Sequence, residues 1–205
     1  MLSLFRKLQY QKLAKVELNG KVLDLGGSRK SGYHELFQGS PEFVVANISK
    51  HYGFDVYVDL EKKFPFENES FDNAIAINLI EHIYDYKNVF SETQRVLKSG
   101  GLLVFTIPFL FHKHGCPDDY NRFTDEALKK IAQEHNFDVI VIEELGEGIF
   151  SVFYQMLPIP NLIRPFFELL FVSMDKSLLA VSKGYRKLKK EYPLGYFAIY
   201  KKRCD

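Results

Sequence analysis

Short, nearly continuous apolar runs alternate along this chain with segments whose apolar residues recur every three or four positions. The runs predict seven strands, at residues 21–25, 42–48, 54–58, 71–78, 102–107, 137–143 and 195–200. The periodic segments predict a short helix at 31–38, a helix at about 86–97 and a helix beginning at Thr124. Because strands that are buried on both faces read as apolar runs, this alternation predicts an α/β domain, doubly wound, with a mostly parallel, seven-stranded sheet.

Glycine, proline and hydroxyl side chains mark the ends of these elements. Gly100 and Gly101 are expected to end the helix at 86–97, as glycines just past a helix terminus do. Pro108 stops the fifth strand. The hydroxyl of Thr124 is placed to cap the helix that follows it.

Two segments lie outside the alternation within what we expect to be a single domain spanning residues 1–205. Residues 1–16 read as an amphipathic N-terminal helix. Residues 146–192 form an apolar, aromatic helical insertion before the last strand. Such an insertion fits a lid, a dimer contact or a contact with a membrane interface, and the plainer alternative is helices that pack on the domain's own core.

Composition excludes several classes of protein. The chain has 205 residues, of which 27 are basic and 26 acidic, so no strong field favours nucleic acid as a partner. Cys116 and Cys204 lack the spacing of a disulfide framework or a zinc site, which favours a cytoplasmic location. No apolar run reaches the roughly 18–20 residues needed to span a bilayer. The apolar insertion and the basic residues 183–190 leave peripheral membrane contact open.

The first strand carries the strongest functional signal. It passes through Asp24 and ends in Gly26 and Gly27, and a glycine turn after a buried strand is a common way to hold a nucleotide-like cofactor. Ligands of such sheets bind at the carboxyl ends of the strands, which places Asn47 and Asp59 in the same ring of loops. The position about 20 residues after the glycines, where a ribose-binding acid is usual, holds the neutral Asn47.

Four motifs in this order resemble class I S-adenosylmethionine-dependent methyltransferases of the type 11 group. They are residues 22–27, 59–72, 78–83 and 95–101, and the resemblance runs from about residue 21 to 145. It implies a Rossmann-like methyltransferase fold and S-adenosylmethionine as the cofactor. The cofactor-binding residues that it implies are Asp24, Gly26, Gly27 and Ser28 for the methionine moiety, Asn47 for the ribose, Asp59 and Leu60 for the adenine, and Asn78, Leu79 and Ile80 along the sulfonium.

The chain departs from the family pattern at two places. Residues 28–31 stand where a third glycine usually follows, and Asn47 replaces the ribose acid. An asparagine can accept a hydrogen bond from a ribose hydroxyl, but it lacks the stronger charge-assisted bond. We therefore expect modest cofactor affinity.

The loop after the fifth strand, residues 108–124, bears on the methyl acceptor. It resembles a Pro, His-x-x-Pro-x-Asp-Tyr, Arg-Phe-Thr pattern of type 11 methyltransferases that are often associated with glycan or cell-envelope pathways. His114 is the first candidate for a catalytic base, with His82 and His112 behind it.

The same loop supplies candidates for acceptor binding, namely Asp119, Tyr120 and Arg122. The alternative for Asp119 and Arg122 is a structural pair that pins the loop. No metal site is predicted, because His112 and His114 have no carboxylate partner at a fixed spacing.

The sequence therefore predicts S-adenosylmethionine-dependent methyl transfer to a hydroxyl, amine or carboxylate of a small molecule or a glycan intermediate. The alternative is a binding or scaffold protein that keeps the fold without transfer activity. A nicotinamide-dependent oxidoreductase is disfavoured, because Asp59 and the pair Glu81 and His82 then have no role. The acceptor's identity and the oligomeric state are not encoded in these patterns.

Overall fold

The computed structural model describes residues 2–49, 53–115 and 118–204. Its strands form one seven-stranded sheet in the order β3-β2-β1-β4-β5-β7-β6. The strands are β1 Glu17–Leu25, β2 Gln38–Asn47, β3 Val56–Tyr57, β4 Phe71–Ile77, β5 Leu97–Pro108, β6 Phe137–Leu145 and β7 Gly195–Lys202. Strands β1 to β5 pair in parallel, and β7 is antiparallel to both β5 and β6. The predicted fold class is confirmed.

Six helices lie in the described part of the chain. They are α1 Leu4–Leu13, α2 Tyr86–Val96, α3 Asp125–Glu134, α4 Ile149–Met156, α5 Arg164–Val181 and α6 Lys183–Glu191. Short 3₁₀ turns occupy His34–Leu36 and Ile80–His82. The predicted cap is confirmed, because Thr124 Oγ1 accepts a hydrogen bond from the Ala127 amide at 3.2 Å.

Two expectations about helices are wrong. The segment at 31–38 forms only the 3₁₀ turn, because β2 already begins at Gln38. Helix α2 ends at Val96, and Gly100 and Gly101 lie inside β5 rather than ending the helix. A Cβ at Gly101 would lie 2.6 Å from the carbonyl oxygen of Asp72. That glycine therefore serves a close approach between strands.

The sheet is covered on both faces, as its strand pattern requires. Along β5, Leu103, Phe105 and Ile107 face the layer that holds α2 and α3, whereas Val104 faces the other side. That second layer contains α1 and residues of the insertion. The two layers leave the carboxyl ends of the parallel strands as the open edge of the domain.

The segment between β6 and β7 folds as three helices that are tied together by Asp175. This side chain is fully buried in α5 and accepts hydrogen bonds from the amides of Phe150 and Ser151 at 3.0 and 2.7 Å. It also accepts bonds from the hydroxyls of Ser151 and of Tyr185 in α6. One carboxylate thus caps α4 and joins it to both neighbouring helices.

Within the ranges that the structure describes, no helix combines the length and the apolarity needed to cross a bilayer. Cys204 is an exposed free thiol, and Cys116 lies outside the described residues.

Candidate active site

The glycine turn lies at the carboxyl end of β1, at the open edge of the sheet. Gly26 has φ of 71°, a conformation that favours glycine, and a Cβ there would overlap the side chain of Leu79. A Cβ at Gly27 would overlap the carboxylate of Asp24. The turn is therefore packed tightly from below by Asp24 and from the side by the segment after β4.

Asp24 lies beneath the turn instead of facing an open cleft. It is fully buried, and its carboxylate accepts hydrogen bonds from Tyr33 Oη at 3.0 Å and from His34 Nε2 at 2.7 Å. Burial raises the pKa of Asp24, and the hydrogen bond with His34 partly offsets this effect. The structure therefore places Asp24 as a support that fixes the 3₁₀ turn against β1.

Asn47 acts as a clamp on the glycine turn. Its Nδ2 donates to the carbonyl oxygens of Gly26 at 2.9 Å and Gly27 at 2.7 Å, and its Oδ1 accepts from the Ser49 amide at 2.9 Å. A carboxylate could not make the first two bonds, because it has no hydrogen to donate. These contacts give a physical reason for an amide where the family pattern has an acid.

The remaining residues expected near the adenine and the methionine are divided between surface and core. Asp59 is partly exposed, accepts from the Glu61 amide and pairs with Lys62 at 2.9 Å; the hydrogen bond with Lys62 lowers the pKa of Asp59. Leu60 is buried in the core. Ser28 donates its amide to Ser31 Oγ at 3.0 Å, so the atypical loop closes on itself.

Asn78 ends β4 in a left-handed conformation, with φ of 50°, which is uncommon for a residue other than glycine. Its Nδ2 donates to Gln9 Oε1 at 3.1 Å, and Gln9 Nε2 donates back to Asn78 Oδ1. Thr106 of β5 donates a further bond to Asn78 Oδ1 at 3.3 Å. The next residues diverge, since Leu79 packs against Gly26 and Ile80 enters the core.

Two of the three candidate bases meet beyond Asn78. The rings of His82 and His114 are perpendicular, with centroids 5.2 Å apart. Burial lowers the pKa of His114, which favours the neutral imidazole. The ring of His112 stacks on Phe111 with centroids 4.5 Å apart, and it also lies 5.8 Å from the ring of His114.

Glu81 lies under these histidines, and sequence reasoning did not assign it a site role. It is fully buried, and burial raises its pKa to about 8. Its burial follows from the loop after β5, because the Tyr120 and Asn121 amides donate to the Glu81 carbonyl at 2.7 and 3.2 Å. The Leu-Ile-Glu-His segment, residues 79–82, was the sequence signal that could have pointed to Glu81. The sequence does not show which side of a 3₁₀ turn is buried, so the burial of Glu81 could not be predicted.

Asp119 and Arg122, two of the candidates for acceptor binding, form an ion pair with each other. Arg122 donates to both carboxylate oxygens, at 2.5 and 2.7 Å, and this lowers the pKa of Asp119 to about 2. Asp119 also accepts the backbone amide of His114 at 2.9 Å. The pair therefore holds the histidine loop in place.

Tyr120 stands on the outer side of this loop. It is exposed and contacts the ring of Tyr84, with centroids 5.5 Å apart. Both rings border an open cavity of about 510 Å³, whose lining residues are Tyr84, Asp85, Tyr86, Lys87, Tyr120 and Asn121.

Comparison with known proteins points to methyltransferases. A family model described as a methyltransferase domain, of the type 11 family, matches residues 5–105. The chain is 29% identical over 110 residues to the O-methyltransferase cnsE of Penicillium expansum, covering 48% of this chain and 38% of that protein. It is 32% identical over 126 residues to a sarcosine/dimethylglycine N-methyltransferase of Aphanothece halophytica, covering 48% and 40%. The match thus spans about two fifths of each curated relative.

The fold is shared with a solved S-adenosylmethionine-dependent methyltransferase from Mesorhizobium loti, at a TM-score of 0.62 and 14% identity over 98% of this chain and all of that one. Over residues 5–105, just under half of its length, the chain is similar to the type 11 family of methyltransferases. The cofactor that this similarity indicates is S-adenosylmethionine.

Proposed function

We propose that this protein transfers a methyl group from S-adenosylmethionine to a hydroxyl, amine or carboxylate of a small-molecule or glycan acceptor. The observation that carries the proposal is the position of two features at one edge of the sheet. The glycine turn ends β1, and the histidines follow β4 and β5, which are the next strands in the sheet. Leu79 joins the two features, because it packs on Gly26 and precedes the segment that carries His82.

The residues at this edge fit the cofactor in part. The cramped glycine turn and the half-buried amide of Asn78 suit the methionine end, and the partly exposed carboxylate of Asp59 suits the adenine amino group. The Asn47 amide already donates its hydrogen bonds to the glycine turn. Because this side chain is also neutral, it offers the ribose no charged partner. These contacts support the modest affinity that the sequence predicts.

S-adenosylmethionine supplies a methyl group that is already activated on a sulfonium. The protein's task is therefore to align the acceptor and to remove its proton. The acceptor's oxygen or nitrogen forms a bond to the methyl carbon while the carbon–sulfur bond breaks, and the bonding pair stays on sulfur. A protonated acceptor also gives up a proton, and His114 is the first candidate to receive it.

The geometry supports His114 in this role. Its Nδ1 lies 3.2 Å from the carbonyl oxygen of His112, which can only accept, so Nδ1 carries the hydrogen. The lone pair of the neutral ring is then on Nε2. His82 is fixed in the same way, with Nδ1 2.5 Å from the Asp118 carbonyl oxygen.

The surface of the insertion supports contact with a membrane interface. Exposed apolar side chains cluster on α4, α5 and the segment between them: Phe153, Met156, Leu162, Phe166 and Leu169. The basic helix α6 follows them in the chain. If this surface binds lipid, the protein will sediment with anionic vesicles, and substituting Phe166 and Leu169 by serine will abolish sedimentation.

Calorimetric titration with S-adenosylhomocysteine tests the cofactor site. We expect binding by the wild-type protein and about tenfold weaker binding by Asp59→Asn, since a charge-assisted bond is lost. Asp138→Asn is the matched control, because Asp138, on β6, forms an exposed ion pair with Arg203, which follows β7. Absence of binding by folded protein would refute the proposal, and equal affinity of the two variants would remove Asp59 from the site.

Methyl transfer itself is tested by release of S-adenosylhomocysteine in the presence of hydroxyl, amine and carboxylate acceptors. Turnover with any of these classes supports an enzyme. A protein that binds the cofactor but turns over with none of them would favour the scaffold alternative.

A further inference from the structure

Three side chains at the acceptor end of the site present metal-ligating atoms to one another. Glu81 and His82 lie in the 3₁₀ turn after β4, and His114 lies in the loop after β5. One ligand atom from each residue lies within 4.8 Å of the other two. The loop after β5 holds no carboxylate partner at a fixed spacing from His114. Glu81, in the turn after β4, supplies that carboxylate.

Glu81 is the observation that points to a ligand. It is fully buried, and neither carboxylate oxygen has a hydrogen-bond partner among the described residues. His82 Nε2 lies 3.7 Å from Oε1, which is beyond hydrogen-bond distance. Arg122 is engaged by both oxygens of Asp119. Because an unpaired buried carboxylate is costly, a bound cation would account for its position.

Both imidazoles have the hydrogen-bonded tautomer that metal-ligating histidines usually have. His82 donates Nδ1–H to the Asp118 carbonyl, and His114 donates Nδ1–H to the His112 carbonyl. A backbone acceptor on one ring nitrogen fixes the tautomer and leaves the other nitrogen as the ligand atom. The free Nε2 of His82 is the atom that faces Glu81.

We propose that Glu81, His82 and His114 together bind one divalent transition-metal cation. Two imidazoles and one carboxylate form a donor set that suits Zn²⁺ or Mn²⁺ better than Mg²⁺ or Ca²⁺, which favour oxygen ligands. Bonds of about 2.0–2.2 Å bring ligand atoms to roughly 3.3 Å from one another, so the distances between the ligand atoms shorten by up to about 1.5 Å when the ion binds.

The role of the cation rests on the proposed function. Three protein ligands leave coordination positions open, and the oxygen of a hydroxyl acceptor binds there beside the methyl donor. A bound cation lowers the pKa of that hydroxyl, so its proton passes to solvent water. With the cation bound, His114 is a ligand and does not act as the base that the metal-free site would use. The oxygen then forms its bond to the methyl carbon as the carbon–sulfur bond breaks. Of the hydroxyl, amine and carboxylate acceptors proposed above, a site with this cation selects a hydroxyl compound.

Metal binding is tested without the methyl donor. Protein made without a histidine tag is treated with a chelator and titrated calorimetrically with ZnCl₂, MnCl₂ and MgCl₂. We expect one equivalent of Zn²⁺ or Mn²⁺ to bind, and Mg²⁺ to bind at least about tenfold more weakly. Glu81→Gln and His114→Ala should each lower the affinity by about 100-fold or more, since each removes a ligand.

The control variant is His135→Ala, which removes an imidazole on the other side of the molecule, where His135 contacts Ser91 and Phe90. It should bind metal as the wild type does. Glu81→Gln keeps the shape and removes the buried charge, so it should fold without metal, which circular dichroism checks.

Binding that survives the loss of Glu81 and of His114 would overturn the proposal, as would folded wild-type protein that binds neither Zn²⁺ nor Mn²⁺. Titration of the same samples with S-adenosylhomocysteine separates this result from the proposed function. A chain that binds S-adenosylhomocysteine but no metal refutes only the cation site.

Discussion

Gln9 in α1 and Asn78 after β4 form a reciprocal amide pair across the open edge of the sheet. Each side chain donates to the other, and Asn78 Nδ2 lies 3.1 Å from Gln9 Oε1. Gln9 is fully buried, and Asn78 holds an unfavourable positive φ. The pair therefore fastens the N-terminal helix to the residue that we place along the methyl donor.

Replacement of Gln9 by leucine tests this role. The variant keeps the bulk of the side chain but leaves the Asn78 amide without its partner. We expect the free energy of unfolding to fall by about 1–3 kcal/mol and S-adenosylhomocysteine to bind more weakly. Urea denaturation and calorimetry measure the two effects. Gln11→Leu, at an exposed position of the same helix, is the control, and equal behaviour of the two variants would contradict the prediction.

Asn47→Asp distinguishes two readings of the ribose position. If Asn47 faced the ribose, an aspartate would restore the usual acid and tighten cofactor binding. The structure instead has Asn47 Nδ2 donating to Gly26 and Gly27, so a carboxylate would face two carbonyl oxygens. We therefore expect a loss of about 1–3 kcal/mol in stability and weaker binding.

The measurement for Asn47→Asp is urea unfolding together with calorimetric titration of S-adenosylhomocysteine. Asn47→Ala removes the two donors without adding a charge and should be less damaging than the aspartate. Tighter binding by Asn47→Asp would show that the residue contacts the ribose.

The fold could be predicted because its signals are local. Each apolar run is complete within a single strand, so the number of strands followed from the sequence alone. The role expected of Gly100 and Gly101 was wrong because the position of these glycines depends on distant atoms. Gly101 is required by the Asp72 carbonyl on the neighbouring strand, a contact that a helix-cap rule cannot anticipate.

The sequence points to parts of the candidate site only where a single segment holds the residues concerned. The glycine turn and the histidine loop fall in this class. By contrast, Gln9 is 69 residues from Asn78, and Glu81 is buried by a loop some 40 residues later in the chain. The same holds for Asn47, whose amide reaches back to the turn that it clamps. Which side chains contact one another depends on the tertiary structure, so residue type alone did not reveal these contacts.

Asp175→Asn tests whether the insertion is one cooperative unit. The amide retains the size of the side chain but replaces one acceptor by a donor that faces the α4 amides. We expect a loss of about 2–3 kcal/mol, because bonds to a charged acceptor are disrupted. Hydrogen exchange should rise across residues 149–191 and not in the sheet. Tyr185→Phe removes one of the four bonds and should show a smaller rise; unchanged exchange in Asp175→Asn would refute the prediction.

The ion pair of Glu92 and Arg95 on α2 makes the stability of the fold depend on pH. Glu92 accepts two bonds from Arg95, at 2.9 and 2.6 Å, and one from the Phe64 amide at 2.7 Å. Arg95 also donates to the Phe66 carbonyl at 2.8 Å, so the pair secures the loop before β4. The hydrogen bond with Arg95 lowers the pKa of Glu92 below its ordinary value of 4.5.

The sign of the effect follows from that direction. Because the folded state lowers the pKa, ionised Glu92 contributes stability that is present above pH 4.5 and is lost as the pH falls through the folded pKa. We expect Glu92→Gln to be about 1–3 kcal/mol less stable than the wild type at pH 7, and this gap to narrow below pH 4.5. Urea unfolding between pH 3 and 7 measures it. The exposed Glu134→Gln is the control and should differ from the wild type by less than about 0.5 kcal/mol. A gap for Glu92→Gln that is constant across this range would show that its charge does not hold the loop.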